Sequence, residues 1–217
     1  MFIRRYKSSD RKQIENLHFE NGFLGKSMKY FLSDSNLWNK SIEYYLDKEP
    51  ESIFVVENEG KIFGYVLGCI DDKKCKKNFK TFLSIFKNYF KSFSLPKKDR
   101  LFWKSRFLIF FNNFIGKSNE YKFKVPKNAG HFHINVSKEL RGKNFGSELL
   151  KVFEEYAKEA GVEVLHADGF ETGFNPNTNF WFKNGFKIYS KVDASAWAEQ
   201  LPERDVKLVC YFKKLKN

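Results

Sequence analysis

Cysteine is scarce in this chain of 217 residues, and its three copies follow no recognisable pattern. Cys69, Cys75 and Cys210 form no Cys-x-x-Cys pair, and any disulfide scheme would leave one of them over. The spacing therefore argues against a disulfide framework, and a reducing cytoplasm is the compartment that this cysteine usage predicts.

Long apolar runs and nucleotide-binding glycine motifs are also absent. No run of eighteen apolar residues could span a bilayer, and the first residues lack the apolar core of a signal peptide. The chain contains no Gly-x-Gly-x-x-Gly fingerprint and no Gly-Lys-Ser/Thr of a Walker loop. These absences exclude a transmembrane segment, a Rossmann dinucleotide site and a P-loop, and the length fits one domain of ordinary size.

Positive charge is abundant but unevenly distributed. The net charge is +13, and residues 71–128 hold sixteen Lys or Arg against four Asp or Glu. The rest of the chain is nearly balanced, with twenty-three against twenty-two. Because a loop of about 58 residues without structure is unusual inside a compact domain, we interpret 71–128 as a folded basic insertion in a single domain spanning 1–217.

The most informative stretch is a strand pattern followed by a glycine-bearing turn and a helix pattern. Gly130–Val136 alternates as a half-buried strand does, with His131, His133 and Asn135 on its polar face. Apolar residues then recur at helical spacing from Leu149 towards Gly161. Backbone N–H groups and the helix dipole favour an anion at a helix N-terminus, so this turn predicts a pyrophosphate site.

The turn resembles the signature of the GNAT superfamily of acyl-CoA N-acyltransferases, Arg/Gln-x-x-Gly-x-Gly/Ala. Arg141, Asn144 and Gly146 occupy its three defined positions. Asn144 replaces the middle glycine, and asparagine is the non-glycine residue that best tolerates a positive φ angle. Phe180–Phe186 resembles the family's second motif, Phe-Tyr-x-x-x-Gly-Phe, in the same order and spacing along the chain.

The resemblance covers about residues 1–70 and 129–212. It implies an α/β fold of mixed α+β type, with a central, mostly antiparallel twisted sheet flanked by helices. It also implies that two helices form one wall of the acceptor site, and the periodicity predicts them from about Ser8 to Gly22 and from Met28 to Leu46. A turn is predicted from Gly169 to Pro176.

The sequence pattern predicts two helices in the basic insertion. Aromatic residues from Phe79 to Phe93 recur near the helical period with lysines between them, until Pro96 breaks the pattern. A second apolar run extends from Leu101 to Ile115 and is too short to span a membrane. Three roles stay open for the insertion: aromatic packing on the domain, a lid over the acceptor pocket, or a surface for RNA or anionic lipid.

The resemblance implies acetyl-CoA as cosubstrate, and we expect no metal. In the family, the strand before the turn splays from its neighbour, so the pantetheine arm pairs with the free backbone and the turn amides hold the pyrophosphate. An N–H at Val136 would face the thioester oxygen. The residues assigned to acetyl-CoA in this way are Ile134, Asn135, Val136, Arg141, Gly142, Lys143, Asn144, Phe145, Gly146, Ser147, Asn175, Asn177 and Trp181.

Proton removal needs a group that titrates near neutral pH. His133 is our first choice as general base and His131 the second, with hydrogen-bonded structural histidines as the alternative reading. Asp168 and Glu171, close after the next strand, are further candidate bases that could act through water. No third ligand is suitably spaced for a metal site with the two histidines.

Trp181 stands where the family often has a tyrosine that protonates the leaving thiolate. Its indole N–H donates a hydrogen bond but does not deliver a proton. Tyr189, Tyr156 or water could supply the proton instead, or the thiolate could leave unassisted.

The resulting prediction is a cytoplasmic N-acetyltransferase that transfers an acetyl group directly to a primary amine of a small molecule or peptide. The charge of 71–128 suggests an acceptor with a carboxylate or phosphate beside its amine. The alternative is a catalytically degenerate GNAT-fold module that binds RNA or an anionic surface through 71–128. A homodimer is compatible with the resemblance, and the fold does not identify the acceptor.

Overall fold

A computed structural model describes residues 1–71, 87–88, 90–116, 122–173, 178–194 and 205–215. Seven strands form one sheet in the order β1-β2-β3-β4-β5-β7-β6. β4 and β5 pair in parallel, whereas the other five neighbouring pairs are antiparallel, so the mixed, mostly antiparallel sheet is confirmed. The strands are β1 (Phe2–Arg5), β2 (Ile53–Asn58), β3 (Lys61–Cys69), β4 (Gly130–Val136), β5 (Val164–Thr172), β6 (Lys187–Asp193) and β7 (Val206–Lys214).

Helices flank both faces of this sheet. None of them, within the residues that the structure describes, is long and apolar enough to cross a membrane. The α-helices are α1 (Arg11–Glu20), α2 (Ser35–Asn39), α3 (Glu43–Lys48), α4 (Lys97–Phe114), α5 (Phe145–Glu159) and α6 (Thr178–Lys183). Short 3-10 helices lie at Ser8–Asp10, Met28–Tyr30, Pro50–Ser52, Ser92–Ser94 and Lys138–Leu140.

α5 packs on one face of the sheet and α1 with α3 on the other. The apolar positions of α5 that the sequence singled out are fully buried, among them Leu149 and Phe153. Phe153 lies directly over Gly68 of β3, where an added Cβ would come within 1.9 Å of its ring. On the opposite face, Ile14 of α1 and Tyr45 of α3 bury the second core. The two cores fix β4 at the centre of the sheet.

The continuous helix predicted from Met28 to Leu46 is wrong. The chain there forms a 3-10 turn, α2 and α3, because polar residues interrupt the apolar pattern. Asp34 caps α2 by accepting a hydrogen bond from the Asn36 N–H at 2.9 Å. The turn predicted from Gly169 to Pro176 starts too early, since β5 continues beside β7 as far as Thr172. Residues 174–176 of that turn lie outside the described residues.

The described part of the insertion includes α4, which confirms the helix predicted from Leu101 to Ile115. It begins at Lys97, directly after Pro96, and its Phe102 and Trp103 side chains pack against the segment between α1 and α2. Asp99 accepts hydrogen bonds from the N–H and the hydroxyl of Ser33, at 2.7 and 2.8 Å. Of the first predicted insertion helix, residues 79–86 and 89 lie outside the described residues.

Candidate active site

The two central strands separate along their length. Parallel pairing joins Gly130 and His131 of β4 to Leu165 and His166 of β5 and extends no further between the described strands. β4 then follows β3, whereas β5 follows β7. This is the splayed pair that the resemblance implied, and it leaves one edge of β4 exposed to the gap.

Two joined cavities occupy the gap. The inner cavity, of about 320 Å³, lies between β4, β5, α1 and α2, and the turn cavity, of about 370 Å³, lies over the turn after β4. Their linings share five residues, so a ligand can extend from one into the other. These are Leu24, Gly25, Ile134, Asn135 and Trp181.

The turn after β4 presents unused backbone donors. Asn144 has the left-handed conformation that its place in the motif predicts, with φ of 68°, and it occupies the N-cap position of α5. Among the described residues, the N–H groups of Gly142, Asn144, Phe145 and Gly146 donate to no protein acceptor. A Cβ on Gly146 would lie 3.2 Å from the Phe180 ring, so glycine keeps this surface open. The turn can therefore bind an anion through its backbone.

The hydrogen bonds of β4 show which of its backbone N–H groups face the gap. The Ser137 N–H donates to the Phe63 carbonyl of β3 at 2.7 Å. Successive peptide groups of a strand point in alternate directions, so the N–H groups of Ile134 and Val136 point away from β3 and into the gap. Both residues line the turn cavity.

Arg141 has a role in the structure that the sequence did not suggest. Its guanidinium donates to the Asn21 side chain at 2.6 Å and to the Gly25 carbonyl at 3.0 Å. These contacts tie the turn to the loop after α1, which lines both cavities. Asn21 lies 120 residues away in the chain, so no local pattern could have predicted the contact.

Three histidines and an aspartate gather beneath the inner cavity. The hydroxyl of Tyr45 lies 2.7 Å from Nδ1 of His131, whose ring is 4.9 Å from that of His133 and 4.8 Å from that of His166. His166 Nδ1 in turn lies 3.2 Å from Asp168. His166 was not among the candidates predicted from the sequence, although its position two residues before Asp168 on one strand places both on the same face.

The cluster also brings three possible metal ligands together, of which only His131 belongs to the histidine pair considered in the sequence. Ligand atoms of His131, His166 and Asp168 lie within 4.8 Å of one another. Ligands of a tetrahedral zinc ion at 2.0–2.1 Å lie only about 3.4 Å apart, so this cluster is wider than a formed zinc site. The contact between His166 and Asp168 accounts for the arrangement without an ion.

His133 is half-buried and reaches the inner cavity. Burial lowers its pKa to about 4, although the charge of Asp168 acts in the opposite direction. Asp168 also lines the cavity; burial raises its pKa, but the hydrogen bond from His166 and the nearby histidines outweigh burial and lower it overall. At neutral pH the cavity thus holds a neutral imidazole beside a carboxylate.

Glu171 is brought to the cavity but is occupied by other groups. It accepts hydrogen bonds from Tyr211, from Thr178 at 2.9 Å and from Lys191 at 3.3 Å. Tyr211 stacks on Trp181 with ring centroids 5.2 Å apart. This network fixes the wall opposite His133 rather than presenting a free base.

Several predicted site residues lie elsewhere. Tyr156 packs against Phe54, and Tyr189 is 46% exposed on the outer strand β6, so neither lines the described cavities. Asn175 and Asn177 lie outside the described residues.

Comparison with known proteins agrees with this geometry. The Acetyltransferase (GNAT) family matches residues 14–186, and no curated protein matches the chain. The fold is similar to the crystal structure of SsHAT, with TM-score 0.67 and 17% identity over 100% of this chain and 98% of the other. It is also similar to yncA of Salmonella typhimurium, a putative acetyltransferase solved with its cofactor acetyl-CoA, with TM-score 0.57, 12% identity and coverage of 100% and 95%.

A third similar structure is the Drosophila melanogaster polyamine N-acetyltransferase, with TM-score 0.55, 14% identity and 99% coverage of both chains. At such identities these structures support the fold, and the family match over most of the length carries the assignment. The chain therefore belongs to the acetyltransferase (GNAT) family of acetyl-CoA-dependent N-acyltransferases.

Proposed function

We propose that this protein transfers an acetyl group from acetyl-CoA directly to a primary amine of a small molecule or peptide, in a ternary complex. The observation that carries the proposal is the continuity of the two cavities. The turn cavity offers free backbone donors, the inner cavity offers His133 and Asp168, and the open edge of β4 connects them. The cysteine usage favours the cytoplasm as its location.

The turn cavity suits acetyl-CoA. The free amides of Gly142, Asn144, Phe145 and Gly146 would hold the pyrophosphate. The Lys143 side chain and the Ser147 hydroxyl would add polar contacts. The pantetheine arm would run along the open edge of β4 from Val136 to Ile134, as an added strand does. The Val136 N–H would then donate to the thioester oxygen and stabilise negative charge as it develops there.

The inner cavity suits the amine. Asp168 would hold the ammonium form on entry; the ammonium would release one proton to solvent, and the neutral amine that results would attack the thioester carbonyl. After attack the nitrogen is far more acidic than a free ammonium, so a neutral imidazole of low pKa, such as that of His133, can take the proton. The C–S bond then breaks, CoA leaves as thiolate, and solvent protonates it, because Trp181 donates only a hydrogen bond.

His131 and Glu171, which were also predicted as candidate bases, would instead hold neighbouring side chains of the site in position. His131 is buried and held by Tyr45, so it would position His133 rather than contact the amine. Glu171 would keep Tyr211 and Trp181 in place through its three hydrogen bonds. Each would therefore affect catalysis through a neighbour.

Direct transfer is tested by mass spectrometry and initial-rate kinetics. Protein incubated with acetyl-CoA alone should show no acetyl adduct, because the described cysteines Cys69 and Cys210 are buried. Double-reciprocal plots with a reactive primary amine should intersect, as a ternary complex requires. A stable acetyl-enzyme with parallel plots would overturn direct transfer, and absence of turnover with any amine would favour the binding-module alternative.

A further inference from the structure

The part of the inner cavity that faces α1 and α2 has a distinctive lining. Its apolar members are largely aromatic and come from the loop after α1, from α2, from β5 and from β7. None of the lining residues that the structure describes is lysine or arginine. The apolar members on this side are Phe23, Leu24, Trp38, Phe170 and Leu208, and the polar members are His18, Asn21, Ser41, His133, Asn135 and Asp168.

At neutral pH, a single carboxylate carries the charge on this side of the cavity. Burial lowers the pKa of His18 to about 3 and that of His133 to about 4, so both rings are neutral at physiological pH. Glu171, on the opposite wall, is already paired with Lys191. Asp168 is therefore the charge that an entering acceptor meets.

The aromatic wall is held firmly in place. Trp38 stacks on His18 with ring centroids 5.4 Å apart, and Phe23 contacts Phe31 edge-on at 5.0 Å. Phe102 of α4 belongs to the same buried apolar cluster as Phe23 and so supports the wall from the side away from the cavity. Such a wall offers a flat apolar surface against which an aromatic ring of the acceptor can pack.

These features do not support the acceptor that the insertion's charge suggested. Of the described insertion lysines, Lys98 donates to the Lys29 carbonyl at 2.7 Å and does not line the inner cavity. A carboxylate or phosphate on the acceptor would meet Asp168 in a site of low polarity, where like charges repel strongly. The cavity volume of about 320 Å³ is also at the small end of ligand sites.

We propose that the acceptor is a small arylalkylamine, a primary amine joined by a short chain to an aromatic ring and carrying no carboxylate. The ammonium lies beside Asp168 and within reach of His133, and the ring lies between Phe23 and Trp38 on one wall and Phe170 and Leu208 on the other. This inference rests on the proposed acetyl transfer and specifies its substrate class.

Paired substrates test the inference directly. CoA release is measured with phenethylamine and with phenylalanine, which differs by one carboxylate, and then with spermidine and a lysine-containing peptide. We expect kcat/KM for phenethylamine to exceed that for phenylalanine by at least about a hundredfold, because the carboxylate opposes Asp168. Spermidine should be at least about tenfold poorer than phenethylamine, because its additional charges enter an apolar wall.

Variants locate the effect in the cavity. Phe170→Ala should raise KM for phenethylamine about tenfold by removing one ring from the wall, and Phe170→Leu, which keeps most of the volume, should have a smaller effect. Phe2→Ala, an exposed phenylalanine on the edge strand β1, is the matched control and should leave KM unchanged.

Failure of the inference is distinguishable from failure of the enzyme assignment. Preference for phenylalanine, spermidine or the peptide, with acetyl-CoA turnover intact, would overturn the arylalkylamine class and leave acetyl transfer standing. An unchanged KM in Phe170→Ala would also overturn it. Calorimetric absence of acetyl-CoA binding would instead remove the basis of both proposals.

Discussion

The two cavities are built in different ways. The turn cavity takes most of its polar groups from one continuous stretch, Ile134 to Ser147, and offers mainly backbone N–H groups. The inner cavity gathers side chains from α1, α2, β4, β5 and β7. Binding through a local backbone shape can be read from a short motif, whereas a side-chain site depends on how distant segments meet.

The largest expected effect comes from substitution of His133, which should impair the inner cavity and leave the turn cavity intact. His133→Ala should lower kcat about a hundredfold to a thousandfold, because it removes the proposed proton acceptor. The affinity for acetyl-CoA should stay unchanged, since the turn donors are untouched. Steady-state rates and calorimetric titration of acetyl-CoA measure the two effects separately.

His18→Gln is the control for that experiment. His18 also lines the inner cavity but is 5% exposed and engaged by Tyr65 and Ser41. Its replacement should cost far less kcat than that of His133. Equal losses in the two variants would mean that His133 acts only through packing.

Substitution of Arg141 should weaken binding in both cavities at once. Arg141→Ala removes the contacts to Asn21 and Gly25, so we expect weaker binding of both acetyl-CoA and acceptor, each by about tenfold. Lys143→Ala, an exposed lysine in the same turn, should affect only acetyl-CoA. Calorimetry and acceptor KM values distinguish the two patterns, and an acceptor KM unaffected by Arg141→Ala would show that the link is unimportant.

The insertion offers a remote way to perturb the inner cavity alone. Asp99→Ala leaves the Ser33 N–H without its acceptor, and we expect a loss of about 1–3 kcal/mol in the free energy of unfolding. The acceptor KM should rise while acetyl-CoA affinity stays constant, because Ser33 belongs to the segment that carries the aromatic wall. Urea unfolding and kinetics measure these effects, and Lys98→Ala, which loses one exposed contact, should have less effect on stability.

The last effect concerns stability and pH. His18 has a folded pKa of about 3 against an ordinary value of 6.5, so between these values the unfolded chain binds the extra proton. Stability should therefore fall as pH drops from 6.5, by about 1.4 kcal/mol per pH unit from this residue. His18→Gln should reduce the slope of unfolding free energy against pH by that amount. An unchanged slope would mean that His18 is protonated in the folded protein.

The sequence predicted those parts of the site that local patterns encode. β4 was predicted with its observed bounds, and the positive φ of Asn144 followed from its place in the motif. The Arg141 contacts and the contact of His166 with His131 were missed, because they join residues far apart in the chain. The prediction of a helix from Met28 to Leu46 failed because polar residues interrupt its apolar pattern. Two of them form other contacts, since Asp34 caps α2 and Ser33 donates to Asp99.

The central claim is that the turn after β4 binds acetyl-CoA, and Gly146 tests it most directly. Acetyl-CoA is titrated by calorimetry at physiological salt into the unaltered protein, Gly146→Ala and Gly146→Trp, with circular dichroism to confirm folding. We predict micromolar binding by the unaltered protein, a modest loss in Gly146→Ala, whose Cβ sits 3.2 Å from Phe180, and at least about a hundredfold loss in Gly146→Trp. Equal binding by folded Gly146→Trp, or none by the unaltered protein, would contradict the claim.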